Sequence, residues 1–139
     1  MMEELINILR DGNHSLVVAS DEIRTFDGRG VSDLYWLLFE KPVYLHGAKV
    51  ADKIVGKGAA TLMALAGVKE VYADVISHPA FELLKHAGIN VTYESIVPHI
   101  VNRSGNGWCP LETRCMECDT PEECLVQIQS FMEEMNRNK

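Results

Sequence analysis

The chain has 139 residues, enough for one compact domain with its own core. It is 47% hydrophobic and 24% charged with a formal net charge of −7, a balance that disfavours general nucleic-acid binding. No apolar run is long enough to cross a bilayer. The first ten residues carry Glu3 and Glu4 with no basic lead into an apolar stretch, so no membrane span or signal peptide is expected. The expectation is a cytoplasmic protein with reduced cysteines.

Residues 2–10 read as a short helix with Leu5, Ile6 and Leu9 on one side, broken at Asp11-Gly12-Asn13. Ser15–Ser20 has the β-branched content of a buried strand, and a short link at Asp21-Glu22 predicts an antiparallel partner over Ile23–Phe26. Gly28 and Gly30 punctuate. Ser32 then suits the N-cap of a helix running to Glu40 that buries Leu34, Leu37 and Leu38. After Pro42 the pattern predicts a strand at 43–46, a helix over 52–66 ended by Gly67, and a strand at 70–76. A helix capped by Ser77 follows, then a strand at 90–94. Residues 95–119 read as irregular. Thr120, Pro121 and Glu123 form the opening of a final helix over 120–136, with Leu125, Ile128, Phe131 and Met132 as its buried stripe. Residues 1–139 are thus expected to form a single three-layer α/β/α domain. Its sheet should be mixed, with about five strands and an N-terminal antiparallel hairpin.

Two expected helix starts carry the functional reading. The mouth of a helix presents free N–H groups and partial positive charge, so it attracts anions. At Ala51–Gly58, Asp52 suits an N-cap, but Lys53 and Lys57 face an unfavourable dipole, and Gly56 and Gly58 weaken a helix. That combination fits an anion site in which the lysines reach a ligand. It fits equally a smooth Gly56-Ala60-Ala64 packing stripe with solvated lysines. A phosphate loop is excluded, because the required glycine and the Ser or Thr after Gly56-Lys57 are missing. At Gly28-Arg29-Gly30-Val31, backbone N–H groups and the Arg29 fork could wrap an anion, or the glycines could simply serve a turn.

Cys109, Cys115, Cys118 and Cys124 cluster late in the chain, and Cys115 and Cys118 form a CxxC. A zinc or iron–sulfur site or a redox pair is one reading and incidental thiols another; the spacing is not that of a standard zinc knuckle. Cys109 stands three residues before Glu112, which raises a nucleophile–base pairing, although a nearby carboxylate by itself raises a thiol pKa. His14, His46, His78, His86 and His99 show no metal-ligand spacing.

The order of elements resembles the cytidine-deaminase-like fold, and the tract VKEVYADVISHPAFELLKHAGINV looks like the strand, helix and strand that follow that superfamily's second zinc motif. Deaminases place H-x-E and P-C-x-x-C at two helix starts. Here those places hold Gly30-Val31-Ser32 and Asp52–Gly56, which offer no such ligands, so zinc-dependent deamination is not expected. GRGV at 28–31, DKIVGKGAA at 52–60 and CPLE at 109–112 are similar to a zinc-less family of this superfamily, the domain of unknown function eighteen ninety-three. The resemblance implies that these segments converge. The resulting expectation is a cleft for a small anionic or nucleotide-like molecule. Gly28, Arg29, Gly30, Val31, Lys57 and Glu112 would line it, and Asp52, Lys53 and Cys109 would carry any chemistry. The competing expectation is a cysteine-based metal or redox module using Cys109, Cys115, Cys118 and Cys124.

Overall fold

Helix α1 (Met2–Asp11) leads into strands β1 (Leu16–Ala19) and β2 (Ile23–Phe26), helix α2 (Ser32–Glu40) and the single turn α3 (Pro42–Leu45). Strand β3 (Lys49–Val55), helix α4 (Lys57–Ala66), strand β4 (Glu70–Ser77), helix α5 (His78–His86) and strand β5 (Asn90–Val97) alternate through the middle. The short helix α6 (Pro110–Cys115) and helix α7 (Pro121–Arg137) complete the chain. The structure is a computed structural model describing residues 2–28, 31–101, 105 and 107–137.

The five strands form one mixed sheet in the order β2-β1-β3-β4-β5. β1 is antiparallel to both neighbours, with Leu16 opposite Phe26 of β2 and Asp52 of β3. β3, β4 and β5 are parallel, joined by α4 and α5 as crossovers. Alternation along β3 feeds two cores. Val50 joins Leu34 and Leu37 of α2, Leu62 and Met63 of α4, Leu84 of α5 and Ile128 of α7. Ala51 joins Leu5 and Leu9 of α1 together with Val17 and Tyr72. One amphipathic helix therefore packs against one face of the sheet, and the other helices build the larger core.

Several expected boundaries move. Residues 43–46 are not a strand. Pro42 sets the first turn of α3, and the chain reverses at Gly47 with φ 74° before β3 begins. The predicted helix start at Asp52 is in fact the middle of β3, and α4 opens at Lys57 with Gly56 as N-cap. Asp52 has good capping chemistry, but a strand between β1 and β4 satisfies the backbone on both edges, and that pairing outweighs a local preference. Val31, not Ser32, occupies the N-cap position of α2. The tract 95–119 holds the last residues of β5, an antiparallel bridge between Val101 and Trp108, and α6.

Other local signals act as read. Ser77 Oγ accepts from the Ala80 N–H at 3.3 Å, Gly67 ends α4 in the left-handed region, and Thr120 Oγ1 accepts from the Glu123 N–H at 3.2 Å. Among the described residues, no helix is long and apolar enough to cross a membrane.

Candidate functional site

The mouth of α4 is closed by the chain itself. Glu112, 2% exposed on α6, accepts from the Lys57 N–H at 2.8 Å through Oε1 and from the Ile100 N–H at 2.6 Å through Oε2. Ser77 Oγ donates to Oε1 at 3.2 Å. An internal carboxylate thus stands where an external anion was expected, satisfying a helix N-terminus that has no cap of its own. Apolar groups fill the space beside it. A Cβ added at Gly56 would lie 3.1 Å from Ile100 Cγ1, and one at Gly58 would lie 2.7 Å from Leu111 Cδ2 and 3.8 Å from Val31 Cγ1. The glycines here admit neighbouring protein side chains. Lys57 is likewise committed, its Nζ donating to the Cys118 carbonyl at 2.6 Å and the Met116 carbonyl at 3.3 Å. The expected electropositive hollow at this helix start is therefore corrected: Val31, Leu111, Ile100 and Glu112 occupy it.

Asp52 and Lys53 also change meaning once they lie in a strand, because successive strand residues face opposite sides. Lys53 Nζ donates to Asn13 Oδ1 at 2.7 Å, beyond the end of α1. Asp52 is 9% exposed, and its Oδ1 accepts from the Ile54 N–H at 3.3 Å. Burial pushes the Asp52 carboxyl up to about 8. The Ile54 and Lys53 backbone groups oppose that rise, and the charges of Asp33 and Asp74 add to it.

Asp33, which sequence reasoning did not single out, stands in the first turn of α2. Its Oδ2 accepts from the Gly28 N–H at 2.8 Å. Its signal in sequence was a carboxylate five residues after a glycine, too common a pattern to separate from a turn. The described residues that join Gly28 to Asp52 here are acids, Asp33 and Asp52 themselves with Asp74 nearby. Arg29 and Gly30 lie outside the described residues.

The four cysteines are divided. Cys109 opens α6 and Cys115 ends it, six residues apart and so about 9 Å along a helical rise. Cys115, Cys118 and Cys124 come together where α6 turns into α7. The Cys124 thiol shares hydrogen bonds with Cys115, Cys118 and Thr61. The Cys115 bond does most to bring Cys124 down to about 6, against the opposing effect of burial, and the Lys57 charge assists. Burial, followed by the bond to Cys124, pushes Cys118 up to about 11, and Cys115 is raised as well. Among the described residues, no group of three or more His, Cys, Asp and Glu side chains is arranged to hold a metal ion. Cys109 lies apart from the three clustered thiols, so the expected four-cysteine set does not assemble.

Comparison with known proteins supplies the lineage. A family model described as a domain of unknown function, DUF1893 (TM1506), matches residues 4–132. The chain is similar to the crystal structure of a DUF1893 family protein (TM1506) from Thermotoga maritima, with a TM-score of 0.85 and 28% identity. That alignment covers 93% of this chain and 88% of the other. No curated protein matches it. With a family model spanning nearly the whole chain and a structural relative of the same description, the chain belongs to the DUF1893 family.

Proposed function

We propose that this domain is a zinc-less relative of the cytidine-deaminase-like fold that binds the base of a small nucleotide-like molecule beside β3, next to the start of α2. One observation carries the reading: Asp52, a carboxyl in the central strand, is almost fully withdrawn from water and beside a second acid, Asp33. Among the described residues no cation pairs with Asp52, and burying an acid without such a partner costs several kcal/mol in general, so stability alone favours an apolar residue there. Held neutral at physiological pH, Asp52 offers both a donor and an acceptor. That pair complements the amine and ring nitrogen of a nucleobase. The Gly28 N–H holds the Asp33 carboxylate at the start of α2, near enough for its charge to act on Asp52.

The earlier expectation of a helix-mouth anion site moves accordingly, from α4 to the α2 side of β3, and from phosphate recognition to base recognition. Cys109 and Glu112 have no part in it, since Glu112 spends both oxygens on the scaffold. The test is a thermal-shift and NMR titration with adenosine, cytidine, guanosine and uridine monophosphates. At least one should raise Tm and perturb Asp52. Wild-type affinity should fall about tenfold per pH unit above 8, while Asp52→Asn stays flat across the same range. No response to any nucleotide, or the same pH profile in both proteins, refutes the reading.

A further inference from the structure

The thiols at the turn between α6 and α7 have no part in the base-binding proposal, and their placement is asymmetric. Cys124 is fully buried in the first turn of α7 and is in hydrogen-bonding reach of Cys118. Cys118 is half-buried and lines a surface depression of about 580 Å³ together with Thr113, Arg114, Glu117, Glu123 and Gln127. Its own Sγ lies 3.8 Å from the Arg114 carbonyl, and Cys124 Sγ lies 3.9 Å from the Cys115 carbonyl. One thiol thus lines a solvent-facing depression while a second, fully buried, is in hydrogen-bonding reach of it.

We propose that Cys118 and Cys124 are a dithiol that a small-molecule disulfide oxidises to an intramolecular disulfide. The Cys118 thiolate attacks one sulfur of the incoming disulfide, whose S–S bond breaks and whose other half leaves as a thiolate. The Cys124 thiolate then attacks the Cys118 sulfur, the mixed disulfide breaks, and the second small thiolate leaves. The protein loses two electrons and the two thiol protons, and the small disulfide becomes two thiols. Cys118 titrates above the ordinary thiol range and Cys124 below it, so the attacking Cys118 thiolate forms by passing its proton to the Cys124 sulfur within hydrogen-bonding reach. The Lys57 ammonium, bonded to the Cys118 carbonyl, holds positive charge next to both. Cys115, fully buried at the end of α6, does not line the depression and stays reduced.

The test equilibrates the full chain in glutathione buffers of rising disulfide fraction, then acid-quenches, alkylates and maps it by mass. Wild type should lose two hydrogens per chain and yield a peptide linking Cys118 to Cys124. Cys124→Ser should stop with one glutathione on Cys118. Cys118→Ser should form neither product, and Cys115→Ser should still close. Wild type that remains fully alkylatable in the most oxidising buffer overturns the proposal. So does a link between any other pair of cysteines, a reading that needs no variant to fold.

Discussion

Glu112 and Asp52 are both acids withdrawn from water, 2% and 9% exposed, yet the chain surrounds them in opposite ways. Glu112 receives three donors, two of them backbone N–H groups, and ties α6, α4, β4 and the segment after β5 into one knot. Asp52 receives the backbone N–H groups of Ile54 and Lys53, both of its own strand, and has other acids for neighbours. The first carboxylate completes a helix end that lacks a cap. Among the described residues, the second joins no other element of the scaffold. Burial alone therefore does not separate a structural acid from a candidate functional one; the partners that surround it do.

The largest effect should come from breaking the employed acid. Glu112→Ala leaves the Lys57 and Ile100 N–H groups without their acceptor, and roughly 3–5 kcal/mol of stability should disappear in urea unfolding. Glu112→Gln keeps one carbonyl oxygen and should cost about 1–2 kcal/mol. If both variants unfold at the wild-type midpoint, the knot contributes nothing and the contrast with Asp52 fails.

Asp52 should respond with the opposite sign. Its folded pKa, about 8, lies above the ordinary value of 3.8, so between these pH values the folded chain holds a proton that the unfolded chain releases. Stability from this group is present below about pH 4 and is lost as pH rises toward 8, by at most about 1.4 kcal/mol per pH unit. Asp52→Asn removes the titration. It should be close to wild type at pH 4 and more stable by about 2–4 kcal/mol at pH 8, read by chemical denaturation at both values. A wild-type stability that rises across that window would show Asp52 ionised in the folded state.

How much of this was legible in the sequence follows from the range of the forces involved. Ser77, Gly67 and Thr120 act over three or four residues, and their caps could be read directly. The Leu5 and Leu9 stripe and the run from β4 through α5 were equally visible, because periodicity is local. Asp52 reads as a helix start because a capping acid stands just ahead of Gly56-Lys57-Gly58-Ala59-Ala60. The pairing with Leu16 and Ala73 that makes it strand comes from distant segments. Glu112 was placed near the α4 mouth through family resemblance, but as a ligand-facing residue. Its employment by Lys57 and Ile100 is a long-range fact that spacing cannot carry. The same holds for the split of Cys109 from the other thiols, set by the six-residue α6 inside a tract that read as irregular.

A smaller effect should sharpen the closed side of the comparison. Gly58→Ala brings a Cβ to 2.7 Å from Leu111 Cδ2 and 3.0 Å from its Cγ, so Leu111 must shift inside the core. Overpacking of this kind costs about 1–3 kcal/mol, and the gain in helix propensity returns about 1. A net loss of about 1 kcal/mol is expected. Leu111→Ala should empty the same space, so the double variant should lose less than the sum of the two single losses. Additive losses would mean that Leu111 does not fill the α4 mouth.

The smallest effect probes whether Asp33 and Asp52 act on one another. A Cβ at Gly28 would stand 2.4 Å from Asp33 Oδ2, so Gly28→Ala must push that carboxylate aside and break its bond from the Gly28 N–H. The displaced group is the end of a flexible side chain that can turn to water, so the stability cost should stay near 1 kcal/mol or below. The informative quantity is the Asp52 titration followed by carbon NMR. Asp33 raises the Asp52 pKa by like-charge repulsion, and moving that charge into solvent should bring the midpoint down while burial keeps it above the ordinary carboxylate range. An unchanged midpoint would leave burial and the Asp74 charge as the causes of the shift and separate the α2 start from the proposed base site. A lower midpoint joins Gly28, Asp33 and Asp52 into one electrostatic unit, which Glu112, bound on every side by scaffold donors, never enters.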